Sequence, residues 1–310
     1  MQLCYLCRRQ ILNHFKTNIM KKLLPYISVL LLFAFSSCQK SNTTEESFGE
    51  TAFQINHLLD NETLKTDALI YTNAAGNRYM VTEIQWFITN VRLVAKDGTE
   101  YSVKNQDDES VFYIDTDIPE SMTISTGQKF PAGEYAGLKF TFGFDKAENQ
   151  SHRFVNPPES YMFWPTYLGG GYHYMKLNGK WINQQGKTEP FNFHLGIGQE
   201  YYDESKTNEV LYNFGRSDSY EHCPGYQPPS VLPPVIGFIH NYFAVDLENP
   251  FTISKDQTTS LELLMHIDQW FKAKRIYDHD EWGGAIMQQQ DAMEIGIQNG
   301  PAVFELRESI

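Results

Sequence analysis

The run Tyr79-Met80-Val81-Thr82-Glu83-Ile84-Gln85-Trp86-Phe87-Ile88 alternates apolar and polar side chains with the two-residue period of a strand. Just beyond it, Val91-Arg92-Leu93-Val94-Ala95 and Glu100-Tyr101-Ser102-Val103 flank Lys96-Asp97-Gly98-Thr99, a hairpin signal with Asp-Gly at the turn. The pattern recurs outward in both directions. Residues 52–58 alternate ahead of the turn Asn73-Ala74-Ala75-Gly76-Asn77, and 111–115 and 134–142 continue the series, the latter introduced by Pro131-Ala132-Gly133. Late strands are read at 236–245 and 261–267, and one short helix within 283–296, where Ala285, Met287, Gln288, Gln289 and Met293 favour it. Helical periodicity is otherwise nearly absent. Many short strands rich in tyrosine and phenylalanine predict an all-β protein, an antiparallel β-sandwich with short helical pieces. Pro224, Pro228, Pro229, Pro233 and Pro234 exclude central strands from 217–234, which reads as a long surface loop.

The N-terminus has its own logic. Lys21 and Lys22, an apolar run at 23–35 and then Ser36-Ser37-Cys38 give the charged, apolar and small-residue order of a secretory signal. The run is too short to span a bilayer stably. A cysteine directly after small residues is where a lipoprotein signal peptidase cuts, so 20–37 reads as a lipoprotein signal peptide. Cys38 is then the lipidated first residue, holding the protein to the bilayer by its acyl chains at the periplasmic or cell-surface face. Residues 1–19 read as an upstream start placed too early, and their Cys4-Tyr5-Leu6-Cys7 has no second pair to complete a zinc site. Residues 38–50 are polar and predict a disordered tether, leaving 51–310 as one domain. Cleavage removes Arg8, Arg9, Lys16, Lys21 and Lys22 and no acidic residue, which leaves 20 basic against 38 acidic side chains, a charge of −18. Such a surface repels phosphate backbones, which excludes nucleic acid as a partner.

One stretch concentrates chemistry. Tyr161-Met162-Phe163-Trp164-Pro165 runs through Gly169-Gly170-Gly171 into Tyr172-His173-Tyr174-Met175-Lys176-Leu177, and Phe191-Asn192-Phe193-His194-Leu195-Gly196 follows. A tryptophan and two histidines on strand-like segments joined by a glycine hinge suit a soft or borderline metal. Each residue also has a plainer reading. His57 shares a strand face with Phe53 and Ile55, so it is a satisfied core histidine or a ligand. His194 lies opposite Phe191, Phe193 and Leu195 and faces a cleft or solvent. His173, between Tyr172 and Tyr174, is a partner or an ordinary aromatic-strand residue, and Trp164 a packing anchor. His266-Ile267-Asp268 suits a ligand with its orienting carboxylate, or a hydrogen-bonded surface pair. Asp278-His279-Asp280-Glu281 reads as a solvated loop by its charge density. His222-Cys223 is a soft donor pair, though burial of the thiol explains it equally.

Six blocks in the same order resemble the MbnP family, copper-binding partner proteins encoded with methanobactin systems and found as bacterial lipoproteins. They are Phe53-Gln54-Ile55-Asn56-His57, residues 71–79, the strand Trp86-Phe87-Ile88-Thr89-Asn90-Val91-Arg92-Leu93, Pro131-Ala132-Gly133-Glu134-Tyr135, Phe142-Gly143-Phe144-Asp145, and 162–179. Thr89 stands where the family tends to have serine, the second aromatic after the tryptophan falls at Tyr167, and the triple glycine lengthens the hinge. The resemblance implies one copper ion, bound as copper(I) by histidines and by a tryptophan that a dihaem partner enzyme converts to kynurenine. Carried onto this chain, it makes Trp164 the modified residue and His57, His194 and His173 candidate ligands of copper.

No Gly-x-Ser-x-Gly elbow, P-loop or His-Glu-x-x-His occurs. The leading expectation is therefore a membrane-anchored extracytoplasmic copper-binding lipoprotein without catalytic turnover of its own. The alternative is a surface module binding carbohydrate or peptide without metal, for which 18 tyrosines and five tryptophans offer stacking faces. An exported hydrolase is the third.

Overall fold

The computed structural model describes residues 47–202 and 234–309. Fifteen strands are described: β1 (Phe48–Leu59), β2 (Glu62–Thr63), β3 (Tyr71–Thr72), β4 (Arg78–Ala95), β5 (Glu100–Ser102), β6 (Val111–Asp115), β7 (Thr123–Pro131), β8 (Gly133–Phe142), β9 (Met175–Ile182), β10 (Thr188–Leu195), β11 (Ile197–Tyr201), β12 (Val235–His240), β13 (Phe243–Ile253), β14 (Thr258–His266) and β15 (Phe304–Glu308). Two helices, α1 (His279–Trp282) and α2 (Gln290–Asn299), and several 3-10 turns accompany them. A five-stranded sheet in the order β15-β14-β1-β2, with β7 also on β1, faces an eight-stranded sheet in the order β10-β9-β4-β8-β13, with β3, β5 and β6 on β4. The expected β-sandwich with short helical pieces is what forms. Nearly all pairings are antiparallel; β1 and β14 are parallel, with His57 opposite Met265.

Strand β4 organises the larger sheet. The sequence suggests two runs, 79–88 and 91–95, yet they form one strand of 18 residues. Asn90, at φ 52, absorbs the break between them, a left-handed conformation that asparagine tolerates better than most residues. Gln85 and Trp86 pair with β6 on one side and β9 on the other, whereas Ile88 and Thr89 pair with β6 and β8. Strands β8 and β9 thus leave the same edge of β4 in succession. Phe87 stands at the fork: its N–H donates to the Tyr174 carbonyl at 3.0 Å, and its carbonyl accepts from Gly143 N–H at 2.9 Å.

Between the sheets, Trp86 packs against Phe304 and His57, and Phe142 against Trp270 and Phe243. On the other face of β4, Phe87 meets Tyr113, Phe144, Phe154 and Tyr172. Three of those rings come from the connection 143–174 between β8 and β9. That connection therefore covers the outer face of the eight-stranded sheet with a second aromatic core.

Several expectations are corrected. The run 236–245 is not one strand: β12 pairs with β11, β13 pairs with β8, and Asn241 lies between them with its side chain bonded to Gln290. Strand β1 begins at Phe48, so the last residues assigned to the tether are strand. The helix read within 283–296 starts later, at Gln290, and runs on to Asn299. Residues 1–19, the signal 20–37, Cys38, His222-Cys223 and most of the 217–234 loop lie outside the described residues. No described helix is long and apolar enough to cross a membrane.

Candidate functional site

The connection that starts and ends at Phe87 carries Trp164 and His173. The Trp164 backbone N–H donates to Gly171 carbonyl at 2.8 Å and its indole Nε1–H to Leu168 carbonyl at 3.1 Å. Gly169, Gly170 and Gly171 all have positive φ, at 120, 70 and 77°, which explains why the hinge is glycine throughout. The indole is fully buried and seated on Gly196, where an added Cβ would come within 2.6 Å of the ring. Tryptophan and glycine at these positions are one steric unit, although 32 positions separate them in sequence.

His173 is nearly as buried. Its backbone N–H and its ring Nδ1 both approach the Met162 carbonyl, at 2.6 and 2.9 Å. A carbonyl only accepts, so Nδ1 carries the proton and Nε2 keeps its lone pair. The His173 ring lies 4.6 Å from the Trp164 ring and 5.0 Å from the His194 ring, edge to face with both. His194 projects from β10, paired with Lys176 of β9. Its Nε2 is 2.8 Å from Asn178 Oδ1, and its buried Nδ1 finds no hydrogen-bond partner among the described residues. Trp164, His173 and His194 are therefore brought together into one buried cluster.

His57 is not brought there. Trp86 Nε1–H donates to His57 Nε2 at 3.1 Å, which uses that lone pair and leaves the proton on Nδ1. Trp86 pairs with Met175, while His194 pairs with the next residue, Lys176. Consecutive strand residues point to opposite faces, so Trp86 and His57 lie on the inner face and His194 on the outer one. The expected convergence of the first strand with the Trp164 turn is corrected: His57 is the satisfied core histidine of its plainer reading.

Two other readings change. His266 bonds Glu305 at 2.9 Å and Asp268 bonds Lys272, so His266 and Asp268 do not pair with each other. The segment 278–281 is no solvated loop. His279 is fully buried among Phe191, Phe271, Tyr277, Trp181 and Tyr79, while Asp278 caps α1 and Asp280 accepts from the Trp181 indole.

The sequence reading passed over the polar residues beside His194. Glu83, Gln85, Asp115, Lys176 and Asn178 share its sheet face through paired positions. The detectable signal is polar residues at alternate positions of strands that are otherwise buried. Glu83, Asp115 and Asp117 bring carboxylate oxygens within 4.8 Å of one another, with Gln85 donating to the first two. Lys176 donates to the Tyr161 carbonyl at 2.6 Å. Burial, with a smaller push from the Lys176 charge, lowers His194 to about 3. Burial followed by the His194 and Lys176 charges holds His173 well below its ordinary value. Both rings are neutral at physiological pH, the form in which imidazole binds metals.

A family model described as MbnP matches residues 48–288, more than half of the chain. The chain belongs to the MbnP family. A solved structure, MbnP from Methylosinus trichosporium, aligns over 72% of this chain and 77% of that one, with 15% identity and a TM-score of 0.42. No curated protein matches the chain. Within this MbnP-family chain, Trp164, His173 and His194 all lie inside the matched region.

Burial of neutral imidazoles has a measurable consequence. Burial lowers His57 to about 4 and both His194 and His279 to about 3, against about 6.5 in an unfolded chain. Between those values the unfolded state binds more protons, so stability is complete above about pH 6.5 and is lost as pH falls toward 3. One unit below 6.5 the loss is about 1.4 kcal/mol for each such ring. Urea midpoints of the metal-free protein should fall steeply between pH 7 and 5, and His279→Phe should shallow that slope by about one proton. A flat profile, or an unchanged slope in the variant, contradicts this account of the buried rings.

Proposed function

We propose that this MbnP-family protein is an extracytoplasmic, lipid-anchored copper-binding protein that holds one copper ion, as copper(I), at Trp164, His173 and His194. The observation that carries the reading is the pair of neutral, buried imidazoles 5.0 Å apart, one with a buried Nδ1 that has no partner among the described residues. Soft and borderline ions accept neutral imidazole, and a buried lone pair left unmatched is costly, so the residues present fit copper(I). When bound, the ion supplies an electron-rich, redox-capable centre to whatever receives it. The chain's own residues do the rest: Met162 carbonyl fixes the His173 tautomer, Lys176 helps keep both rings unprotonated, and the aromatic wall of 143–174 excludes water.

Trp164 has a conditional part. Its indole N–H is already donated to Leu168, and an intact indole is a poor ligand. Oxidative opening by a dihaem partner enzyme, with loss of one ring carbon and gain of one oxygen, would turn it into an aryl amine and a ketone beside His173. Intact mass of protein purified from its native host reads this directly. An unmodified mass there removes Trp164 from the ligand set and leaves the two histidines.

His173→Ala combined with His194→Ala should abolish copper(I) binding in a competitive titration, while His57→Ala and His279→Ala keep one ion per chain. Unchanged stoichiometry in the double variant overturns the site. The anchor rests on Lys21, Lys22, the apolar run and Cys38. Cys38→Ser should release the protein from the membrane fraction, and full retention there contradicts lipidation at that cysteine.

A further inference from the structure

Asn178 sits in β9 directly opposite Glu83 in β4, and one strand further over is His194. Its two amide atoms look in different directions. Nδ2 lies 2.9 Å from Glu83 Oε2, and Oδ1 lies 2.8 Å from His194 Nε2. An ionised carboxylate only accepts hydrogen bonds, so the NH2 end must face Glu83 and the oxygen must face the ring. The ring then has no choice: Nε2 carries the proton and donates, and the lone pair stands on Nδ1, the buried atom without a partner among the described residues. We propose that Asn178 and Glu83 are positioning residues that fix His194 in its Nε2–H form and so select Nδ1 as its metal-binding atom.

The array behind Glu83 supports this role. Gln85 Nε2 donates to Glu83 Oε1 at 2.9 Å and to Asp115 Oδ2 at 3.0 Å, and the Tyr113 hydroxyl donates to Asp115 Oδ2 at 2.6 Å. Each of these donors ends on a carboxylate: His194 reaches Glu83 through Asn178, Gln85 donates to Glu83 and Asp115, and Tyr113 donates to Asp115. Both Glu83 oxygens are thereby engaged by amide donors, which prevents the carboxylate from rotating away. In the opposite tautomer Asn178 either keeps its oxygen against a ring lone pair or turns over and sets that oxygen against Glu83, so either way one hydrogen bond is replaced by a clash of lone pairs. Orientation of a ligating histidine through its other nitrogen is a general device of metal sites, and its loss costs about 10 to 100-fold in affinity.

The ligand role of His194 rests on the copper reading above, but the tautomer does not, so the two are tested separately. Long-range 15N–1H spectra of the metal-free protein, with His194 assigned by its loss in His194→Ala, should show the proton on Nε2 alone. In Asn178→Leu the Nδ1–H form should appear and copper(I) affinity should fall about 10 to 100-fold. Asn178→Asp combined with Glu83→Gln, which keeps an acceptor facing the ring and gives the other aspartate oxygen an amide donor, should restore the Nε2–H signature. Glu83→Gln, which lets the Asn178 amide turn, should again admit the Nδ1–H form. A wild-type ring protonated on Nδ1, or Leu and Gln variants that both keep Nε2–H, overturns the proposal even if copper binds. If copper(I) does not bind wild type, the copper reading fails while an Nε2–H signal lost in Asn178→Leu still supports the positioning role.

Discussion

Phe87 gives its backbone N–H to Tyr174 and accepts from Gly143, and most of the site follows from that pair of bonds. They pin both ends of the connection 143–174 to one point of β4, where β8 and β9 diverge. The connection is thus forced over the outer face of β9 and β10, the face on which His194 and Lys176 stand. Aromatic packing then fills the space beneath it: Phe144, Phe154 and Tyr172 stack around the Phe87 ring. The same packing that secures the connection dehydrates the two imidazoles, so stability and site chemistry share one cause.

Dehydration decides the electrostatics. The excess of acidic over basic residues in the chain would, acting alone, raise histidine pKa values and favour hard cations. At His173 and His194 the reverse holds, because burial outweighs distant charge and the Lys176 ammonium adds a smaller push in the same direction on both rings. Glu83 and Asp115, which share the sheet face of His194, accept hydrogen bonds from Gln85, Asn178 and Tyr113. At the two rings themselves a metal meets neutral nitrogen.

How much of this was legible in the sequence differs residue by residue. The alternation of 79–88 and the Asp-Gly hairpin announced the β class, and the blocks around Trp164 and His194 marked both residues, although Trp164 lies in the connection between β8 and β9 and not on a strand. His57 was misplaced for a physical reason: period-two patterning gives the face of a strand but not which sheet that face meets. Strand 236–245 was read as continuous because the side-chain bonds that stop it at Asn241 come from Gln290, far along the chain. His279 looked solvated because its neighbours Asp278, Asp280 and Glu281 are charged, whereas a single helical turn suffices to send its ring inward among five aromatic side chains. The Glu83–Asn178 pair depends on register across a bulge between Val81 and Glu83, which no local pattern reveals.

X-ray absorption of the copper(I)-loaded protein at the copper edge tests the central claim most directly, because it reports ligand identity without a mutation that disturbs the core. The account predicts a low-coordinate copper(I) edge whose nearest scatterers are nitrogen, with the outer-shell pattern of two imidazole rings. A shell dominated by sulfur, or one of oxygen without imidazole features, contradicts it.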